Sequence, residues 1–303
     1  MKIIESGIIF FGMAGVLAAA HAEVVTRSVP LTREITRVYL HGSNELHLTQ
    51  GEEEYVKVTA PEEMIARSKA RVKGRSLYLG NERDWDDISW GFSDSDTPVR
   101  FDVQLARIDA IRVRGSGQAY VGDIVAGDLK IIMYGMGKAV VQSIKAHDVS
   151  VEISGACHFQ GDRIDSEEMG IEINGSAKIN IAHIVTGEVE IDIAGSGEVK
   201  LENLNAGELE TEINGSGDLD LAGRIGNQDL EINGSGDYRA SKLVSEDAYI
   251  EIRGSGNVEI SVEKRLTAEI SRGADLVYYG GPELEADISG RGRSRNAGNI
   301  STN

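Results

Sequence analysis

Eight carboxylates recur at one phase of the second half of this chain: Glu152, Glu172, Asp192, Glu212, Glu231, Glu251, Glu269 and Asp287. Successive members are 18 to 20 residues apart. A fold that returns the chain once per interval piles them into one column. Neighbours about 5 Å apart repel by about 1 kcal/mol per pair even in water, less with salt and splayed side chains. Such a column can hold divalent cations, with Ca²⁺ the natural ion, or face a cationic partner, or keep some carboxyls protonated. The plain alternative is a solvated face with Lys and Arg nearby. Glu190, Glu210 and Asp229 flank and deepen the acid patch, whereas Arg112 and Ile132 occupy the same phase earlier. The column therefore belongs to the later repeats only.

A second cluster has a different chemistry. Asp84, Trp85, Asp86, Asp87 and Trp90 lie in residues 81–98, with both tryptophans of the chain. This stretch breaks the surrounding pattern and reads as a long loop. Aromatic rings among acids can stack on sugars or dock a partner; a packed cap is the structural alternative.

Other chemistries find little support. Gly-Ser-Gly-like blocks recur about eight times without a paired histidine, and a nucleophile would be singular. His41 and His47 flank one turn but have no evident third ligand for zinc. No Gly-x-Gly is followed by the third glycine of a dinucleotide fingerprint. Gly-Ser-Gly-Asp matches the calcium repeats of secreted toxins in composition, but those need a nine-residue period. No catalytic set and no metal or other cofactor is implied.

The elements that must position these residues follow from one repeat. The first glycines of the blocks stand at 115, 135, 155, 175, 195, 215, 234 and 254. That is a period of twenty, slipping once to nineteen, which marks a solenoid. Before each block the apolar positions alternate, as in Val151/Ile153, Ile171/Ile173, Ile191/Ile193 and Ile250/Ile252. After it they alternate again, as in Ile179/Ile181, Val199/Leu201 and Leu219/Leu221. A third register holds Ile124, Ile144, Ile164, Ile184 and Leu204. Three short apolar segments per period suit a coil of parallel strands whose rungs stack about 4.8 Å apart. The fold class is thus all-β: a single-stranded parallel β-helix, right-handed by the general crossover preference. The glycines are corners, where backbones approach closely and positive φ is needed. Asn174, Asn214 and Asn233 precede them, where Asn tolerates a left-handed backbone and can bond to a neighbouring rung.

The rest of the chain divides around that core. Residues 1–22 read as a signal peptide, with Lys2, an apolar run from Gly7 to Ala19 and the cleavage pattern Ala20-His21-Ala22. Residues 23–98 hold an arm, a divergent first repeat at 38–48 and a cap, with a short helix or strand at 61–72. The regular β-helix is expected over 99–293, and residues 294–303 form a polar tail. The net charge of -18 excludes generic nucleic-acid binding and disfavours anionic lipid. Cys157, the only cysteine, replaces a turn glycine and reads as a small structural residue.

The Ile-Asn-Gly-Ser-Gly blocks, the small-residue turns and the exported N-terminus resemble a bacterial family. It is the auto-transporter adhesin head GIN domain family, a domain of unknown function. The resemblance spans about residue 35 onward and departs at Met136, Ala156-Cys157, Ala177 and 271–275. It implies a right-handed β-helix, surface adhesion and no catalytic set. The expected function is a non-enzymatic structural or adhesive module, periplasmic or at the cell surface, with an envelope or extracellular protein or glycan as partner. No membrane span is expected after signal removal. A carbohydrate-active β-helix is the rival, and an envelope sensor or assembly factor docking through 81–98 is a third reading.

Overall fold

The computed structural model describes residues 24–29, 31, 33–81 and 98–300. The expected signal peptide and the acidic tryptophan loop lie outside them. The chain is a β-solenoid of about nine turns. No helix among the described residues is long and apolar enough to cross a membrane.

The N-terminal end is built out of order. Strand β1 (Val24–Val29) pairs antiparallel with residues Val56–Pro61 further along the chain. β2 (Arg37–Gly42) and β3 (Glu45–Gln50) form the divergent first rung. The chain then builds the cap with β4 (Tyr55–Pro61), the one-turn helix α1 (Glu62–Ile65), β5 (Ser68–Lys73) and β6 (Ser76–Asn81). β7 (Arg100–Leu105) completes it. β6 and β7 pair in parallel with β2 and β3. β8 (Ala110–Gly115) and β9 (Gln118–Val125) pair with the opposite edges of the same two strands. The first rung is therefore sandwiched between its own cap and the second rung. Two expectations are corrected here. The 61–72 stretch is both helix and strand, and Val99–Leu105 belongs to the cap, where β7 also pairs antiparallel with β4.

From β8 the stack is regular. β10 (Asp128–Gly135), β11 (Lys138–Lys145), β12 (Asp148–Gly155), β13 (His158–Asp165) and β14 (Glu168–Gly175) add successive half-rungs. β15 (Lys178–Gly195), β16 (Glu198–Gly215), β17 (Asp218–Gly234), β18 (Tyr238–Gly254) and β19 (Asn257–Arg272) each run around a corner into the next rung. β20 (Asp275–Tyr279), β21 (Glu283–Ile288) and β22 (Arg293–Asn296) close the end. The tail expected from 294 thus begins in a paired strand, β22 against β20. Each rung buries alternate residues on two long sides, as at Val149, Val151 and Ile153, then Cys157 and Phe159. A single residue such as Ile164 is buried on the third side. All of the aliphatic columns read from the sequence face inward.

The corners show why glycine recurs. Gly175 has φ +134°, and a Cβ on it would sit 2.6 Å from the carbonyl oxygen of Gly155. That oxygen accepts the Ser176 N–H at 2.9 Å, so rung is tied to rung through the turn. The exposed Ser side chains take no part in this bond. At the second glycine position, Ala177 and Cys157 are buried, and burial pushes the Cys157 thiol pKa up. A structural role for Cys157 follows.

The interior is not wholly apolar. Gln228 buries an amide with no hydrogen-bond partner, and the buried Tyr238 hydroxyl lies against Thr211. Gln228 stands in a column between Leu209 and Ala248. An unsatisfied buried amide costs about 1–3 kcal/mol.

Gly175→Ala is expected to destabilise the protein by about 1–3 kcal/mol through strain and contact. Gly170→Ala, in a strand with open space around it, serves as the control and is expected to be near neutral. Equal denaturation midpoints for the two would remove the steric account of the corner. Gln228→Leu is expected to raise stability by about 1–3 kcal/mol, read from urea unfolding; a loss of stability would mean that the amide is satisfied in solution.

Candidate functional site

The register places all eight predicted acids in one column. Glu152 pairs with Glu172, Glu172 with Asp192, Asp192 with Glu212 and Glu212 with Glu231. Glu231 pairs with Glu251, Glu251 with Glu269 and Glu269 with Asp287. All eight point outward, exposed or half-buried, because inward positions alternate with them along each strand. Below them the column continues as Ile132, Arg112, Tyr39 and Tyr78. The Arg112 guanidinium lies 4.9 Å from the Tyr39 ring centre, and Tyr39 meets Tyr78 edge to face at 4.8 Å.

Two further acid columns run beside the first. One carries Glu190, Glu210 and Asp229, as read from the sequence. The other was not recognised there: Asp128, Asp148, Glu168, Glu188 and Glu208. Its signal was present in the twenty-residue spacing, but it starts at a corner where the apolar alternation breaks. Together the three columns form a wall. Its corner edge is a shallow groove of about 610 Å³ lined by Glu167, Glu168, Glu188, Glu208 and the backbone of Gly187 and Gly207.

Charge on the wall is compensated unevenly. Lys130 pairs with Glu152, Arg253 bridges Glu231 and Glu251, and Arg265 holds Asp247 at 2.8 Å. Among the described residues no Lys or Arg pairs with Glu172, Glu190, Asp192, Glu210, Glu212 or Asp229. The pre-glycine asparagines help instead. Asn174 Nδ2 donates to Glu172 at 2.7 Å, Asn214 to Glu212 at 2.6 Å and Asn233 to Glu231 at 2.9 Å. This corrects their expected role. They bond along their own strand, and the positive φ falls on the glycine that follows each one.

The central acids hold their protons more tightly than usual. Partial burial raises the pKa of Asp192, and Glu212 and Glu172 add to it. Glu210 is raised by desolvation and then by Glu190, Asp229, Asp192 and Glu188. Asp229 is raised by desolvation and by Glu231. The wall can therefore attract cations, accept donors and take up protons in mild acid.

The other predicted cluster, Asp84, Trp85, Asp86, Asp87 and Trp90, lies outside the described residues. His47 pairs with Glu45 and stacks on Tyr120, with ring centres 4.9 Å apart. These two rings border a second groove of about 400 Å³ with Gln142, Gln160 and Asp162. At the lower end of the newly recognised column, ligand atoms of Asp128, His147 and Asp148 lie within 4.8 Å of one another.

A β-solenoid with one corner repeated on every rung and an acid wall beside it defines a class of exposed repeat surface. Within that class, the sequence profile described as "Putative auto-transporter adhesin, head GIN domain" matches residues 34–201 and 168–282. The chain belongs to this family. Its fold is similar to an adhesin-type structure from Parabacteroides merdae, described as a putative adhesin. That likeness has 14% identity, covers 91% of this chain and 97% of the other, and gives a TM-score of 0.53. A second such adhesin from Parabacteroides distasonis is 16% identical, with 91% and 98% covered and a TM-score of 0.54. A structure described as a putative lipid binding protein from Parabacteroides distasonis is also 16% identical, with 91% and 98% covered and a TM-score of 0.51. No curated protein matches the chain in sequence. At these identities the structures establish the fold alone.

Asp192 and Glu210 keep their protons to higher pH when folded than when unfolded. Folding therefore takes up protons, and stability rises as pH falls through the folded-state pKa. The penalty, desolvation first and like-charge repulsion second, is fully present at neutral pH and fully relieved below the ordinary carboxylate values of 3.8 and 4.5. Asp192→Asn is expected to stabilise the protein at neutral pH by a fraction of a kcal/mol. The gain should shrink in high salt and vanish below pH about 4. Thermal melts across pH check this; a destabilised variant at neutral pH would refute it.

Proposed function

We propose that this chain is an exported, non-enzymatic adhesive module that uses its acid wall to engage a cationic partner outside the cytoplasm. One observation carries the reading. A parallel sheet displays three adjoining carboxylate columns whose centre, among the described residues, lacks basic partners and is held at fixed spacing by the backbone. Rigid display costs little ordering entropy on binding. Fixed like charges raise the local field and speed encounter with positive surfaces. Membership of an adhesin family supports the same role. The cell envelope or cell surface is the expected location, with a protein or a glycan bearing amino groups as ligand.

The carbohydrate-active alternative is less well supported by the site. Glycoside hydrolysis needs two carboxyls whose environments push their pKa values apart. Here Asp192, Glu210 and Asp229 are all raised, and for the same main reason. The lipid-binding description of one neighbour transfers poorly as well, because an acid wall is repelled by an anionic bilayer.

The test compares the wild type with the triple variant Asp192→Asn, Glu210→Gln, Glu212→Gln. Wild-type protein is expected to bind bacterial or host cells, or basic members of a glycan array, with affinity that falls as salt rises. The variant is expected to lose at least tenfold in affinity while melting no lower than wild type. Binding indifferent to salt and to the substitutions would sink the wall as the adhesive face. Sustained polysaccharide turnover would overturn the non-enzymatic reading.

A further inference from the structure

We infer that Asp128, His147 and Asp148 form a site for a divalent transition metal of the zinc class, with Glu167 orienting the imidazole. The inference is independent of the adhesive role of the wall. It begins from the stacking of three rungs at one corner. The His147 N–H donates to the Gly127 carbonyl at 2.6 Å, and the Glu167 N–H donates to the His147 carbonyl at 2.8 Å. Gly127, His147 and Glu167 therefore lie one above another. Gly127 has open space where a side chain would be, which leaves the His147 ring room on that side. One residue further along, Asp128 and Asp148 pair in register. The fold thus brings two carboxylates and one imidazole from adjacent rungs to one point, with ligand atoms all within 4.8 Å of each other.

The ring orientation fits metal binding through one nitrogen. His147 Nδ1 faces Asp148 Oδ1 at 2.6 Å, and Nε2 faces Glu167 Oε2 at 3.2 Å. A metal on Nδ1, shared with the two aspartates, leaves Nε2–H donating to Glu167. A ligating histidine usually donates its other N–H to a carboxylate in this way, which fixes the tautomer and raises ligand basicity. Nδ1 and Asp148 need separate by about 0.7 Å to reach the spacing of two ligands on one tetrahedral ion, about 3.3 Å for zinc bonds near 2.0 Å. Water completes the tetrahedron.

The chemistry selects the metal. An imidazole with two carboxylates suits zinc and its first-row neighbours, whereas calcium needs six to eight oxygens. The position is also singular along its column. Glu188 and Glu208 have only Gly187 and Gly207 beside them. His158 sits in register between Lys138 and Lys178, and His183 pairs with Arg163. Among the described residues no other group of His, Cys, Asp and Glu meets the same geometry.

The experiment is titration calorimetry of the EDTA-stripped protein with ZnCl₂, backed by thermal melts and by Co²⁺ absorption spectra. Wild type is expected to bind one zinc with micromolar affinity, to melt higher with zinc and to give Co²⁺ ligand-field bands. Millimolar CaCl₂ should not displace the metal. His147→Ala and Asp128→Asn are expected to lose the bands and at least tenfold in affinity. Glu167→Gln should weaken binding about tenfold or more, and His183→Ala should leave it unchanged. His147 is exposed, so His147→Ala is expected to fold; its circular dichroism in EDTA verifies that. The inference fails if wild type gives no zinc heat and no zinc-dependent melting shift, as expected of a plain ion-pair cluster. It also fails if His147→Ala and His183→Ala bind zinc alike, or if calcium competes at equal concentration.

Discussion

In-register parallel stacking is the constraint from which the rest of the molecule follows. Each backbone N–H and C=O on a rung bonds to the rung above or below, so neighbouring rungs sit about 4.8 Å apart. Residues one period apart are then forced into columns. A column cannot be tuned at one rung without regard to its neighbours. Aliphatic columns such as Ile153, Ile173, Ile193 and Ile213 build the core. Glycine columns build the corner, because there the preceding rung's carbonyl leaves no space for a Cβ. The same rule that makes a continuous core also aligns like charges.

The acid wall is what that rule does on the outside. Side-by-side carboxylates are unfavourable, and the fold relieves them in two ways. Lys130 and Arg253 pair with Glu152, Glu231 and Glu251. Asn174 and Asn214 donate to Glu172 and Glu212 in the middle, which spreads the charge without cancelling it. The desolvation and repulsion kept at Asp192, Glu210 and Asp229 are a cost in stability that a more solvated face with lysines nearby could have avoided. Proteins commonly hold such local cost at functional surfaces. A binding role for the wall gives it a reason.

Much of this was legible in the amino-acid order because repetition is legible. The spacing of Gly115, Gly135 and their successors gave the period, and the alternation at Val151/Ile153 and Ile179/Ile181 gave strands rather than helices. The acid column from Glu152 to Asp287 followed from the same count. What escaped the reading sits where the count fails. The cap could not be ordered, because β6 and β7 stack beneath an earlier rung while β8 stacks above it, and no local pattern records that reversal. Asn174 and its equivalents stand at the turn, yet their side chains reach back two residues to the wall, which no turn pattern announces. The Asp128 column is hard to see in the amino-acid order because it starts at a corner, outside the apolar alternation that frames the others.

The sequence by itself determined the rung: its length, its inward residues, its glycine corner and the phase of its acids. These are set by local sterics and by a two-residue side-chain period, both of which act along the chain. Only the tertiary structure decided what lies across rungs. It placed the first rung between cap and stack, chose which acids gain a cationic partner, and brought His147 between Asp128 and Glu167. Those outcomes depend on the lateral register between segments about twenty residues or more apart. That register is fixed by the summed fit of whole rungs and is written in no single stretch of the chain.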